Sequence, residues 1–148
     1  MGRKLGAFAA GTLAGCVAML AVGFIAGMIY PLSGEVDARD PEGFASILAS
    51  APLGARLSIL LGWFTAGLAG SAVAKLVSKR RGPAWAVAIF FALFVVLNVM
   101  MLPMPTWMQV VAIAAPLLGG LLGSHIKDRA TAPAPQDTTD DADAQELR

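Results

Sequence analysis

Four long apolar segments constrain the fold of this chain more than any other feature. Each segment comes near or above the roughly 18 to 20 residues that a helix needs to cross about 30 Å of hydrocarbon. Only helices and closed barrels satisfy their own backbone polar groups in lipid, and these segments lack the alternation of barrel strands. The sequence therefore predicts an all-α membrane protein, a bundle of four transmembrane helices at residues 5–30, 53–77, 84–102 and 107–124.

The distribution of charge predicts the orientation of these helices. Charged residues make up only 14% of the chain, and all except Arg56 and Lys75 fall at its ends and in the connections between apolar segments. The N-terminus and the second connection are basic, Lys127 and Arg129 directly follow the fourth segment, and the first connection is acidic. By the positive-inside rule, both termini lie in the cytoplasm. The basic residues that support this orientation are Arg3, Lys4, Lys75, Lys79, Arg80, Arg81, Lys127 and Arg129.

The first connection also contains a helix signal. Asp40 is a favourable N-cap, and Pro41 suits the first helical position. Apolar residues then recur at helical spacing until Pro52, which predicts a short amphipathic helix on the outer surface. These apolar residues are Phe44, Ile47, Leu48 and Ala51.

The chain divides into one membrane domain and a tail. Residues 1–129 form the four-helix transmembrane domain, in which the connections at 79–82 and 103–106 are short enough to keep the last three helices side by side. Residues 130–148 are rich in proline and acidic residues and have almost nothing to bury. This composition predicts a disordered acidic cytoplasmic tail.

Small residues recur at every fourth position in three of the segments. Residues four apart lie on neighbouring helical turns, so each row forms a shallow groove that admits another helix. An i+4 step advances about 40° beyond a full turn, so close contact along a row is local. We expect half of the second row to receive the first helix and the other half to remain for another helix or a separate chain. The rows are Ala7, Gly11, Gly15, Gly23 and Gly27, interrupted by Met19; Gly54, Ser58, Gly62, Ala66, Gly70, Ala74 and Ser78; and Ala115, Gly119 and Gly123.

Three polar side chains occupy similar depths in the predicted bundle. Arg56, Asn98 and Gln109 lie within roughly 6 Å of the outer boundary, at about 1.5 Å of helix per residue. One interpretation is a polar pocket open to the outside, with Arg56 placed for a phosphate or carboxylate. The favoured interpretation is that Arg56 reaches lipid headgroups or the acidic connection, while the two amides tie helices together.

The tetrapeptide Leu13-Ala14-Gly15-Cys16 resembles the lipobox of a bacterial lipoprotein signal. Cleavage there would make Cys16 a lipidated N-terminus. The favoured alternative is that Cys16 is a small residue buried in the first helix. The apolar run continues to Tyr30, where lipoproteins usually have a polar tether.

The sequence argues against several familiar chemistries. Cys16 and His125 are single residues of their types at different depths, so no Cys/His metal site is predicted. No Asp or Glu lies inside a predicted span, and neither a phosphate-binding glycine loop nor a nucleophile with a base is present. The basic patch at 79–81 favours anionic lipid over nucleic acid. We therefore expect no metal, no cofactor, no nucleic-acid partner and no enzymatic activity.

Several of these stretches resemble a family of small four-helix bacterial inner-membrane proteins. The resemblance covers about residue 23 to the end of the fourth helix, and its most specific part is a Pro-x-Pro-x-Trp turn at Pro103, Pro105 and Trp107. It implies a four-helix fold in the bacterial inner (plasma) membrane, and it carries over no functional residue. The other matching stretches are Gly27-Met28-Ile29-Tyr30-Pro31, the acidic residues 37–42, Pro52-Leu53-Gly54-Ala55, and Asn98 with Met101-Leu102.

Three functions remain open from the sequence. The favoured one is an integral membrane interaction or structural protein, packed through its small-residue grooves against its own copies or as an accessory subunit of another membrane protein. An alternative is a small oligomeric channel or transporter with a polar outer mouth, whose deeper polar lining would be limited to Thr12, Thr65 and Ser71. A lipid-headgroup-binding protein or enzyme ranks third. Membrane lipids are partners in each case.

Overall fold

The computed structural model describes residues 2–31, 41–101 and 104–126. Over these ranges the chain forms five α-helices and no strand. Four of them, all except the second, are long and apolar enough to cross a membrane. The prediction of an all-α chain with four membrane-length helices is thereby confirmed. The helices are α1 (Gly2–Ile29), α2 (Pro41–Ser50), α3 (Leu53–Ser78), α4 (Arg81–Met101) and α5 (Thr106–Ser124).

Two helices begin earlier than the predicted spans, because each includes charged residues that precede its apolar run. The third span was placed from Ala84, but α4 begins at Arg81, and α1 begins at Gly2 instead of Leu5. Lys79 ends α3 in the left-handed conformation with φ 55°, and the chain re-enters a helix within two residues. Hydropathy marks where apolar residues begin, whereas a helix continues through charged residues at its ends. The predicted cap Asp40 and the tail at 130–148 lie outside the described residues.

Prolines set the starts of two long helices. Pro52 is extended, with φ −61° and ψ 153°, and precedes α3. Pro105 has φ −55° and ψ 139° and precedes α5. A proline cannot continue the preceding helix in register, so each one separates consecutive helices sharply. Pro116 lies inside α5.

Helix α3 is the centre of the bundle. It packs against α1, α4 and α5, and α4 additionally contacts both α5 and α1. Two clusters form the core. The cluster nearer α2 contains Leu48, Leu60, Val95, Met108 and Ala112. The second cluster contains Ala66, Ala74, Ala84, Val87 and Phe91.

The ends of the bundle differ in charge. Gly11 of α1 packs on Gly70 of α3 and Val87 of α4, so the start of α1 lies beside the end of α3 and the start of α4. Lys75 donates a hydrogen bond to the carbonyl of Ile126, which places the end of α5 there as well. We call this the basic end, and the opposite end, where α2 lies, the α2 end. The cations of the basic end are Arg3, Lys4, Lys75, Lys79, Arg80 and Arg81.

Helix α1 exposes much of its apolar surface. Leu20, Phe24 and Met28 are 68%, 72% and 73% exposed, although each is a large hydrophobic side chain. Contiguous apolar surface of this kind is unfavourable in water and costs nothing in hydrocarbon. The four apolar helices and this surface together fit a multi-pass membrane protein.

Candidate interaction site

The first half of the α1 row is packed as closely as two helices allow. A Cβ added at Gly11 would lie 2.6 Å from the carbonyl oxygen of Gly70 and 2.8 Å from the Cβ of Ala74. A Cβ added at Gly15 would lie 2.7 Å from the carbonyl oxygen of Ala66. Real Cβ atoms do not approach backbone atoms this closely, so only glycine permits the observed contact.

The second half of the same row is open. A Cβ added at Gly23 or Gly27 would meet nothing within 4 Å in the part of the chain that the structure describes. Each i+4 step turns the row by about 40°, so Gly27 points about 160° away from Gly11 on a straight helix. The row therefore loses its close contact with α3 towards the α2 end, where both glycines border a gap beside α2 and α3.

An apolar cavity adjoins these two glycines. It has a volume of about 270 Å³ and lies where α1, α2 and α3 meet, with Gly23, Gly27, Leu48 and Ser58 among its lining residues. Tyr30, just after α1, closes the gap at its far side by packing its ring against Gly54. The helices α1 and α3 thus touch near the basic end and separate near the α2 end.

The contacts of the small-residue row on α3 differ from the expected division into two halves. Helix α1 and the residue that follows it contact the row at Gly70, Gly62 and Gly54. The third span, α4, also contacts it, because a Cβ at Gly70 would lie 2.8 Å from Cγ1 of Val87. The fourth span, α5, instead packs on a second face of α3 around Gly67. Another helix thus shares the row with α1, as expected, but the two helices do not divide it into separate halves. The second small face of α3, around Gly67, was not expected.

The contact between α3 and α5 depends on glycines from both helices. A Cβ at Gly67 would overlap the carbonyl oxygen of Pro116 and lie 2.8 Å from its Cα, and a Cβ at Gly119 would lie 2.8 Å from the amide nitrogen of Leu68. Gly123 also lies against the Leu68 carbonyl. The small-residue rows found in the sequence include Gly119 and Gly123 but not Gly67. The available signal was the spacing of four between Gly67 and Ser71, a second small pair on α3.

The hydroxyl groups of Ser71, Thr65 and Thr12 differ in whether they connect two helices. Ser71 is fully buried and donates a 2.9 Å hydrogen bond to the carbonyl of Ala84, which joins α3 to the first turn of α4. The hydroxyl of Thr65 donates within its own helix to Leu61. The Thr12 hydroxyl is buried and has no hydrogen-bond partner among the described residues.

The three polar residues that the sequence predicts at one depth each donate a hydrogen bond to a backbone carbonyl. Arg56 donates from Nε to the Leu48 carbonyl at 3.0 Å and from Nη2 to the Ala49 carbonyl. Asn98 donates to the Phe94 carbonyl at 2.9 Å, and Gln109 donates to the Met104 carbonyl at 2.8 Å. Within the described ranges, their hydrogen bonds do not join the three side chains to one another.

Arg56 therefore caps a helix. Its guanidinium binds the last carbonyls of α2, where the helix dipole favours a cation. The buried side chain of Leu48 fixes α2 to the core from the same turn. The arginine and the leucine together hold α2 across the end of the bundle.

The remaining predicted positions lie within helices or at their ends. Cys16 is half-buried and packs with Phe8 and Met19 against the alanine-rich cluster, in the middle of the continuous helix α1. His125 follows α5, with Nδ1 2.7 Å from the Leu121 carbonyl. Among the described residues, no three His, Cys, Asp or Glu side chains are grouped to hold a metal ion.

Comparisons with protein-family models, with curated proteins and with solved structures each give no match. Inferences about function therefore rest on the residues and their geometry. Of the glycines in the small-residue rows, Gly23 and Gly27 are those at which an added Cβ would meet nothing within 4 Å among the described residues.

Proposed function

We propose that this chain is an integral membrane interaction protein that binds another transmembrane helix through Gly23 and Gly27. The observation that carries the proposal is the contrast within one row, because Gly11 and Gly15 are packed against backbone whereas Gly23 and Gly27 meet nothing within 4 Å. Small-xxx-small rows lower the cost of close helix approach in lipid, where packing replaces the hydrophobic effect. The second half of this row, which is open, can therefore accept another transmembrane helix.

A second copy of the chain is the partner that the groove fits best. In a two-fold symmetric pair the same surface meets itself, so a shallow groove flanked by large side chains is self-complementary. Leu20, Phe24 and Met28 flank the two glycines and are exposed. The same chemistry would admit a helix of another membrane protein, which would make this chain an accessory subunit.

The proposed placement follows from charge. The basic end faces the cytoplasm of a bacterial inner membrane, with both termini on that side, and α2 lies on the outer surface. Supporting this orientation, six of the basic residues lie at the basic end.

The experiment measures association in liposomes by energy transfer between donor- and acceptor-labelled copies. The test variant carries Gly23→Leu and Gly27→Leu, whose Cβ atoms have no neighbour within 4 Å among the described residues and whose side chains fill the groove. Gly6→Leu is the matched control, because its Cβ is also unobstructed and lies on α1. We expect energy transfer in the wild type and the control, and its loss in the double variant.

The outcome against the proposal is equal energy transfer in all three chains, or none in the wild type. Unfolding of each variant in detergent gives the folding control. Because an added Cβ meets nothing within 4 Å at either position and leucine favours a helix more than glycine does, the double variant should be at least as resistant to denaturant as the wild type.

A further inference from the structure

The basic end contains a groove that neither the helix-packing rows nor the proposed function uses. The first turns of α1 form one wall, with Lys4, Leu5 and Phe8. The junction between α3 and α4 forms the other, with Arg80 and Pro83. The groove has a volume of about 570 Å³ and opens to the outside of the bundle. Two cations from distant parts of the chain thus border one apolar space.

The fold holds both walls in place. Gly11 fixes α1 against α3 and α4, and Phe8 packs edge to face on Phe90, with ring centroids 5.8 Å apart and an interplanar angle of 83°. On the other wall, the Ser78 hydroxyl donates to the Arg80 carbonyl at 2.9 Å and accepts from the Arg80 amide at 3.2 Å. These bonds use the backbone of Arg80, and its guanidinium has no hydrogen bond or ion pair with another residue that the structure describes.

The charges facing the groove are unbalanced. Lys4 and Arg80 are exposed, and Arg81 follows at the start of α4, where the helix dipole adds positive potential. Among the described residues the single carboxylate is Glu42, which lies in α2 at the opposite end of the bundle. The groove therefore favours an anion.

The apolar walls restrict the kind of anion. Leu5, Phe8 and Ala86 border the groove on the side of the exposed helix surface, and Ile89 and Leu93 continue that surface along α4. A ligand that fits both parts has an anionic head and a hydrocarbon body. The groove also lies at the end of four membrane-length helices, which is the depth of the lipid phosphates.

We propose that the groove between Lys4 and Arg80 binds an anionic phospholipid, with its phosphate between the two cations and an acyl chain against Leu5 and Phe8. Basic pockets between transmembrane helices recognise anionic headgroups through this combination of charge and apolar contact. An acidic peptide would satisfy the cations and leave the apolar walls uncovered.

The test is a lipid titration of the full chain in detergent, followed by native mass spectrometry. The probes are phosphatidylglycerol, phosphatidylcholine and inorganic phosphate. The test variant is Lys4→Gln with Arg80→Gln. Its matched control is Arg3→Gln with Arg81→Gln, which removes the same charge from the same end without changing a residue that lines the groove.

Wild type should bind phosphatidylglycerol more tightly than phosphatidylcholine. The groove variant should lose about thirtyfold in affinity for phosphatidylglycerol, because two phosphate contacts are removed. The control should stay within about threefold, since it changes only screened, longer-range attraction. Arg80→Lys with Lys4 unchanged should bind phosphatidylglycerol nearly as tightly as the wild type, because both positive charges are present.

Three results would overturn the proposal. Equal losses in the groove variant and the control would indicate a diffuse surface charge. Competition by inorganic phosphate at the concentration of the lipid would indicate a free-anion site. A large gain in lipid affinity on neutralising the acidic residues of the tail would identify the tail as the occupant. The tail residues to neutralise in the full chain are Asp137, Asp140, Asp141, Asp143 and Glu146.

Discussion

Replacing Gly67 with alanine is expected to separate α3 from α5. The added Cβ would overlap the carbonyl oxygen of Pro116 and lie 2.8 Å from its Cα. These are backbone atoms of a proline inside a helix, so they cannot rotate away as a flexible side chain would. The methyl group therefore forces one helix to move relative to the other.

The expected magnitude combines two opposing effects. Overpacking of a close-packed interior costs about 1 to 3 kcal/mol, and contact with rigid backbone places this site at about 3 kcal/mol. Alanine recovers up to about 1 kcal/mol through its higher helix propensity. We expect Gly67→Ala to lower the free energy of unfolding by about 2 kcal/mol.

Gly62→Ala is the matched control on the same helix. Its Cβ would lie 3.6 Å from the Cγ of Met19, which is ordinary van der Waals contact. We expect this variant to be neutral or to gain up to about 1 kcal/mol. Reversible unfolding by SDS in mixed micelles, followed by circular dichroism, measures both. A Gly67→Ala chain as stable as Gly62→Ala would refute the packing argument.

Three further predictions concern polar contacts and orientation. Arg56→Gln should cost about 1.5 to 3 kcal/mol of local stability, seen as faster hydrogen exchange in α2, because the charged hydrogen bonds to Leu48 and Ala49 are lost; unchanged exchange would argue against the cap. Ser71→Ala should lower the free energy of unfolding by about 0.6 kcal/mol through loss of the bond to Ala84, whereas Thr65→Ala, which removes a bond within one helix, should change it less. A reporter enzyme that is active only outside the cytoplasm should be active when it is inserted after Asp37. A reporter at this position that proves to be cytoplasmic would reverse the proposed orientation.

Most of the architecture could be predicted from hydropathy alone. A span of apolar residues long enough for lipid has one stable backbone conformation, so the four long helices followed directly. Their ends were less predictable. The left-handed Lys79 and the immediate start of α4 at Arg81 depend on local backbone geometry and on the hydrogen bonds of Ser78, which hydropathy does not register.

The candidate site was predictable in part. The spacing of Gly11 and Gly15 identified a groove. The 40° rotation per step of such a row explains why Gly23 and Gly27 do not make the same close contact with α3. Which face of α3 receives α5 was not predictable, because Gly67 and Gly62 both lie on small faces and only tertiary packing distinguishes them. The cap formed by Arg56 on α2 depends on how the connection folds back, which helical periodicity does not specify.

The central claim is that α1 presents its open glycines to another copy, and disulfide cross-linking in native membranes tests it most directly. Single cysteines are placed at Gly23, Gly27 and Gly6 in a Cys16→Ala background, and a mild oxidant is added. The account predicts covalent dimers for Gly23→Cys and Gly27→Cys and none for Gly6→Cys, because only the first two positions lie in the shared groove. Equal cross-linking at all three positions, or cross-linking at Gly6 alone, would contradict it.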